Sequence, residues 1–352
     1  RRSSDLSKED ILLVVEPVLM APLRRRWEEV RAEAAKLAAE LAQIDADSET
    51  DKSAAALAKR RTARTRARNR LADLLLAFRQ ELASTQVLDA ACGSGNFLYV
   101  ALRLLLDLEK EVINLGASLG GTISFPMVSP SQLHGIEIDP YAYELAQTTI
   151  WIGYIQWLRD NGFGLPEEPI LKPLDAIRLM DAILAYDEQG QPVEPEWPQA
   201  DVIVGNPPFL GDKKMRSELG HEYVEDLRAL YAGRVPGGAD LVTYWFEKAR
   251  AQVEAGTTKR AGLLATNSIR GGANRTVLER IKATGDIFWA VSDHEWILEG
   301  AAVNVSMVAF DAGSEQAREL DSRSVQNINA DLTAAVDLVG AQQLPKNAQI
   351  AF

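Results

Sequence analysis

Two short apolar runs, each stopped by a turn with its own chemistry, constrain this chain more than any other feature. The first is Gln86-Val87-Leu88-Asp89-Ala90-Ala91-Cys92-Gly93-Ser94-Gly95-Asn96-Phe97, a buried strand ending in a glycine-rich loop that opens a helix. The second is Ala200-Asp201-Val202-Ile203-Val204-Gly205-Asn206-Pro207-Pro208-Phe209, a buried strand ending in a rigid polar turn. From residue 85 onward, short apolar strands alternate with helices, which is the signature of an α/β fold. The pattern predicts strands at 86–90, 133–138, 177–180, 201–205, 261–266, 286–291 and 303–310, with helices at 96–113, 140–159, 222–231, 239–255 and 273–283. Residues 116–130 and 186–198 read as loop insertions.

Before residue 85 the texture is helical. Ser7-Lys8-Glu9-Asp10 resembles a capping box, and Pro22 stands where a second helix can begin. Residues 23–43 and 53–83 read as the two arms of a helical hairpin, broken by the acidic run at 45–51. The second arm carries Lys59-Arg60-Arg61 and Arg64, Arg66, Arg68 and Arg70. That run could lie along phosphates, but without interleaved aromatic residues a solvated face pairing with acids of the first arm is the preferred reading. The expected organisation is a helical spacer over 1–84, a catalytic domain over 85–313, and a connector over 314–352. Because the sequence opens at Arg1 and stops at Ala351-Phe352, it reads as an excerpt from a longer polypeptide.

Composition excludes several classes. No apolar run reaches the roughly 18 residues that span a bilayer, and no signal peptide opens the chain, so a cytoplasmic protein without membrane partners is expected. The single Cys92 leaves no internal disulfide framework. With 50 acidic against 38 basic residues, a net charge of −12, the chain is not expected to grip nucleic acid unaided.

Glycines at 93 and 95 let the backbone approach a ligand, and the helix start at Asn96-Phe97 offers free N–H groups to an anion. The next strand ends in Glu137, the candidate acceptor for a ribose diol, with Asp139 in reserve; Asp139 also suits a helix cap before Pro140, the favoured reading for it. Asp181 ends the third strand, where a carboxylate can accept the exocyclic amine of a cofactor adenine, with Ile138 and Ala182 as walls. In Asn206-Pro207-Pro208-Phe209 the prolines lack N–H groups and fix φ, so the turn presents acceptors. The Asn206 amide oxygen and the Pro207 carbonyl suit both hydrogens of an aromatic amine, and Phe209 offers a face for its ring.

Asp89-Ala90-Ala91-Cys92-Gly93-Ser94-Gly95, then Glu137, Asp181 and Asn206-Pro207-Pro208-Phe209, in that order, resemble the gamma-arranged N6-adenine DNA methyltransferases over roughly residues 85–312. Ala239 to Phe246, Ala265 to Gly272 and Ala301 to Phe310 extend the likeness to the type IIL restriction-modification fusions and to methylases of phage-defence systems such as DISARM. The resemblance implies a Rossmann-like class I methyltransferase fold, with seven strands of which the last is antiparallel. It also implies S-adenosylmethionine, held by Asp89, Ala91, Gly93, Gly95, Asn96, Phe97, Glu137, Ile138, Asp181 and Ala182. It implies double-stranded DNA as partner, read by a recognition domain beyond this chain, and restriction or defence subunits as possible associates. A flipped adenine would stack between Phe209 and a second aromatic group, for which Trp296 is the candidate, with no metal in the reaction. A further cofactor-contacting segment, usual in the family upstream of the glycine loop, finds no match here. Protein-glutamine and RNA guanine-N2 methyltransferases share Asn-Pro-Pro-aromatic turns and stay open as alternatives, as does a non-catalytic module that binds S-adenosylmethionine or senses DNA.

Overall fold

The computed structural model describes residues 8–46, 53–121, 124–164, 175–298 and 301–334. In chain order the strands are β1 (Val87–Asp89), β2 (Leu133–Glu137), β3 (Ile177–Leu179), β4 (Ala185–Tyr186), β5 (Pro192–Val193), β6 (Val202–Gly205), β7 (Arg260–Thr266), β8 (Asp286–Leu298), β9 (Ala301–Asp311), β10 (Arg318–Leu320) and β11 (Arg323–Val325). The helices are α1 (Lys8–Val15), α2 (Ala21–Ala46), α3 (Ala54–Ser84), α4 (Asn96–Ser118), α5 (Pro140–Asp160), α6 (Asp212–Leu219), α7 (His221–Leu230), α8 (Val242–Glu254) and α9 (Gly272–Thr284).

One sheet carries the order β11-β10-β8-β9-β7-β6-β1-β2-β3, and β4-β5 form a separate hairpin. The sheet is mostly parallel, as expected, with β9 antiparallel between β7 and β8. It has nine strands rather than seven. The additional two come from residues 318–325, which were read as connector: β10 runs parallel to β8, and β11 folds back against β10. Each is only three residues long with two of the three polar, so no alternation announced them. Their turn places Asp321 and Ser322 at φ 50° and 61°, the left-handed pair of a tight hairpin made without glycine or asparagine.

Alternate strand residues feed two cores. Val87, Val204 and Leu264 pack among α1, α4 and α5, while Leu88, Ile203 and Leu263 pack among α8 and α9. This double burial is why these strands read as continuous apolar runs. The predicted loop at 116–130 begins later than expected, since α4 continues to Ser118.

The N-terminal helices are built into this body. Ile11, Val14, Val15 and Val18 are buried against the sheet, over Gly262 in β7. Pro17 lacks the N–H that an α-helix would use, and the chain widens into a π-helical turn over Glu16–Met20, closed by the Ala21 N–H on the Glu16 carbonyl. Ser7 of the supposed capping box lies outside the described residues. The hairpin of α2 and α3 forms as predicted. Arg64 meets Asp45 at 3.2 Å and Arg70 meets Glu40 at 3.3 Å, so part of the arginine run pairs with the first arm. Deeper down, Arg79 Nε donates to Glu109 at 2.9 Å, and Glu109 also accepts from the Met127 and Val128 amides. No helix among the described residues is long and apolar enough to cross a membrane.

A Cβ on Gly262 would lie 2.5 Å from Val18 Cγ2 and 2.9 Å from Val14 Cγ1. Gly262→Val should therefore push α1 off the sheet and destabilise the protein by about 1–3 kcal/mol, as overpacking does. Thermal or denaturant unfolding reads the loss; an unchanged midpoint would show that α1 contributes little.

Candidate functional site

The chain runs outward from β1 through β2 to β3, then returns to β6 on the other side of β1. Strand order thus reverses between β1 and β6, and ligands of open α/β sheets bind at the carboxyl ends of such a pair. The glycine loop follows one of these strands and the Asn-Pro-Pro-Phe turn follows the other.

The loop is shaped for a ligand. Gly93 and Gly95 take φ of 52° and 84°, and a Cβ on Gly95 would sit 3.1 Å from the Ala146 Cα, so both freedom and space demand glycine there. Glu137, half-buried at the end of β2, accepts from the Gly93 amide at 2.8 Å through Oε2. Its Oε1 accepts from the Ile138 and Asp139 amides, each at 2.8 Å. One carboxylate thereby ties the loop of β1 to the turn after β2. Asp139 caps α5, taking the Tyr141 and Ala142 amides on Oδ1. Ile138 and Tyr141 beside it are 65% and 77% exposed, an apolar surface open to a flat ring.

Asp89 is fully buried, and its Oδ1 accepts from the Ala91 amide at 3.1 Å. Burial pushes its carboxyl up to about 7, against the pull of that amide and with the charge of Glu137 adding to the rise. A Cβ on Gly205 would collide with Asp89 Oδ1, so the glycine before Asn206 is where β6 makes room for that carboxyl. Asn96 is half-buried at the helix start. The Phe97 side chain is 2% exposed in the core, which leaves its backbone N–H as the part able to face a ligand. Cys92 is also buried, and burial raises its thiol well above the ordinary value.

Asp181 follows β3. Its Oδ1 accepts from the Ile183 and Leu184 amides, and its Oδ2 from the Tyr223 hydroxyl at 2.8 Å. Burial and the adjacent Asp181 charge raise the Tyr223 pKa, so the phenol stays a donor. Ala182 is buried, and its carbonyl takes the Trp197 indole N–H at 2.7 Å.

In the second turn, Pro207 is buried, Pro208 exposed and Phe209 half-buried, packed against both cores. Asn206 Oδ1 is buried and has no hydrogen-bond partner. Leaving such an acceptor unpaired costs about 1–3 kcal/mol, so this oxygen is open to a donor from outside the chain. Phe209 lines a cavity of about 500 Å³ with Leu210, Gly211, Asp212, Lys213, Lys214, Gly238 and Asp240. The site thus gathers the glycine loop, Glu137 and the Asn206 turn on neighbouring strand ends. Trp296 pairs with Val303 in the β8–β9 hairpin, but its side chain lies outside the described residues.

Sequence reading missed Tyr223 and gave Asp240 no role. Tyr223 stands 42 positions from Asp181 in a separate helix, and no local pattern links the two. Trp245 in α8 was likewise silent, yet its indole N–H donates to the Ala90 carbonyl at 2.9 Å and braces the loop from below.

The chain is 31% identical over 233 residues to DNA methyltransferase A of Bacillus subtilis strain 168, covering 63% of this chain and 26% of that protein. A shorter segment of 84 residues is 33% identical to a putative type II restriction enzyme and methyltransferase of Methanocaldococcus jannaschii, covering 24% of this chain and 7% of that protein. The fold is similar to the type IIL restriction-modification enzyme MmeI, solved in complex with DNA, at a TM-score of 0.69 and 23% identity, over 94% of this chain and 41% of that one. The chain therefore spans less than half the length of each of these relatives. The family described as MmeI, DNA-methyltransferase domain, matches residues 61–321. With that match running through both strand-end turns and most of the sheet, the chain belongs to the MmeI DNA-methyltransferase domain family.

Proposed function

We propose that this domain transfers a methyl group from S-adenosylmethionine to the N6 amine of an adenine flipped out of duplex DNA, within a restriction-modification or phage-defence system. The observation that carries the reading is the buried, unpartnered Asn206 Oδ1 at the tip of β6, one strand away from the glycine loop.

The residues fit a nucleoside cofactor. The left-handed glycines open the backbone, Glu137 keeps lone-pair capacity for a ribose diol beyond its three amide bonds, and Ile138 and Tyr141 give the purine an apolar surface. Asp181, held as an acceptor by Tyr223, suits the exocyclic amine of that purine. When bound, the cofactor supplies an electrophilic sulfonium methyl.

The chain's own part in the chemistry is orientation. Asn206 Oδ1 and the Pro207 carbonyl accept the two hydrogens of the substrate amine, which draws the nitrogen lone pair out of conjugation with the ring and aims it at the methyl. Phe209 holds the base by stacking, with Trp296 proposed as the opposite face. A direct in-line transfer then needs positioning more than acid–base work. Duplex binding and the choice of sequence are proposed to depend on a recognition unit outside this domain, because the acidic chain offers few phosphate-binding groups near the turn beyond Lys213 and Lys214.

Asn206→Ala should abolish methyl transfer by the intact protein while leaving affinity for S-adenosylhomocysteine unchanged. Phe209→Ala should do so less completely, since stacking contributes about 1–3 kcal/mol per base. Radiolabel transfer to unmethylated genomic DNA measures both, and normal turnover in Asn206→Ala would refute the assignment. Glu137→Ala should weaken cofactor binding by about 1–3 kcal/mol in calorimetry; an unchanged affinity in a folded variant would move the diol role to another acid.

Asp89 carries a pH dependence. Its folded pKa, near 7, lies above the unfolded value of 3.8, so folding takes up a proton between those limits and the stability linked to this group is lost as pH rises through 7. The gain in melting temperature from Asp89→Asn should accordingly widen as pH is raised from about 5 to about 8. A gain that does not vary with pH would mean that Asp89 is ionised throughout.

A further inference from the structure

Two segments that carry the family likeness, 239–246 and 265–272, have no part in the chemistry described so far, yet they converge on one side chain. Asp240 Oδ1 accepts from the Asp212 amide at 3.0 Å, at the start of α6. Its Oδ2 accepts from Ser268 Oγ at 2.9 Å and from Asn274 Nδ2 at 2.7 Å. The Asp240 amide returns a bond to Asn274 Oδ1 at 2.7 Å, and Asn274 is only 7% exposed. The next residue, Leu241, donates its amide to the Leu210 carbonyl at 2.9 Å. Residues 210–212, which leave the Asn206–Phe209 turn, are thus gripped at both ends by Asp240 and Leu241. The same carboxylate fastens that strip to the loop between β7 and α9.

The placement gives this grip a purpose. The cavity of about 500 Å³ beside Phe209 and a second one of about 700 Å³, lined by Asn267, Ser268, Arg270 and Asn274 among others, share only Gly238 and Asp240 as common wall. Asp240 therefore stands in the wall between them, and it also lines the cavity that Phe209 lines. The prolines stiffen the turn on the Asn206 side of Phe209, but nothing in the backbone chemistry of Leu210-Gly211 stiffens the other side. A glycine there leaves the exit strip free to swing unless an acceptor pins it.

The geometry points to Asp240, buttressed by Asn274, as the positioning residue that fixes the exit of the substrate turn and so holds Phe209 in stacking register. This rests on the assignment of Asn206–Phe209 to the substrate amine. On this reading Asp240 acts through Leu210–Asp212, whose backbone it and Leu241 hold, rather than on the reacting atoms.

The test uses single-turnover methylation of unmethylated genomic DNA by the intact protein, beside calorimetry with S-adenosylhomocysteine. Asp240→Asn puts an amide where the carboxylate accepts from three donors, so its NH2 must face at least one of them; it should slow the transfer step by about 10- to 100-fold, the scale of a misplaced reacting group, with cofactor affinity unchanged. The exchanged pair Asp240→Asn with Asn274→Asp restores one carboxylate and one amide to the contact and should recover most of the rate. Transfer by Asp240→Asn at the wild-type rate would overturn the inference. So would a fall in cofactor affinity in step with the rate, or an exchanged pair that folds by its melting curve yet stays slow. Asn206→Ala keeps the two claims apart: if it remains active, the reading of the turn itself fails, whereas full activity in Asp240→Asn with none in Asn206→Ala removes the positioning role alone.

Discussion

The close approach of β1 and β6, with the buried Asp89 carboxyl seated where a side chain at position 205 would otherwise be, is the constraint on which the site depends. A larger residue at 205 would displace either the carboxyl that receives the Ala91 amide or the strand end that carries Asn206. The glycine loop and the Asn206 turn, to which cofactor and substrate are assigned in the proposed function, are consequently set by one contact. Both elements grow from adjacent strands in the middle of the sheet, which fixes the distance between them.

Around that contact the remaining groups act mostly on backbone. Glu137 spends three of its acceptor positions on amides, Asp181 two, Asp139 two and Asp240 one, and the indoles of Trp197 and Trp245 both end on carbonyls. Carboxylates that gather amides in this way make loops behave like secondary structure without its periodicity. The Asn206 amide oxygen differs from all of them in having no protein donor. Among so many satisfied carboxylates, this open side-chain acceptor is the atom on which the proposed function rests.

Much of this was legible in the sequence, and for a physical reason. The central strands are buried on both faces, so they stand out as apolar runs. Glycine and proline mark the two turns because no other residues supply the required freedom or stiffness. The family order of motifs then supplied the roles proposed for them. What was not legible depends on partners far apart in the chain. Tyr223 on Asp181 and Asn274 on Asp240 are ordinary polar residues on ordinary helices, meaningful only after folding. The N-terminal region read as a spacer because helix periodicity cannot say what a helix lies against; Val14 and Val18 on Gly262 place its first turns on the sheet. The strands at 318–325 escaped notice because three residues are too few for any period to show.

Those two strands also bear on how the protein avoids its own kind. Without them β8, the longest strand of the sheet at 13 residues, would present an unpaired backbone edge along part of its length. Long bare edges invite pairing with another chain. The structure instead ends the sheet on β11, a three-residue strand carrying Arg323 and Ser324 on its exposed positions and turned back on a tight hairpin. The segment that looked like a tether thus works as a selvage, a short polar border laid along β8 at Trp289 and Ala290 that ends the sheet on three residues instead of thirteen.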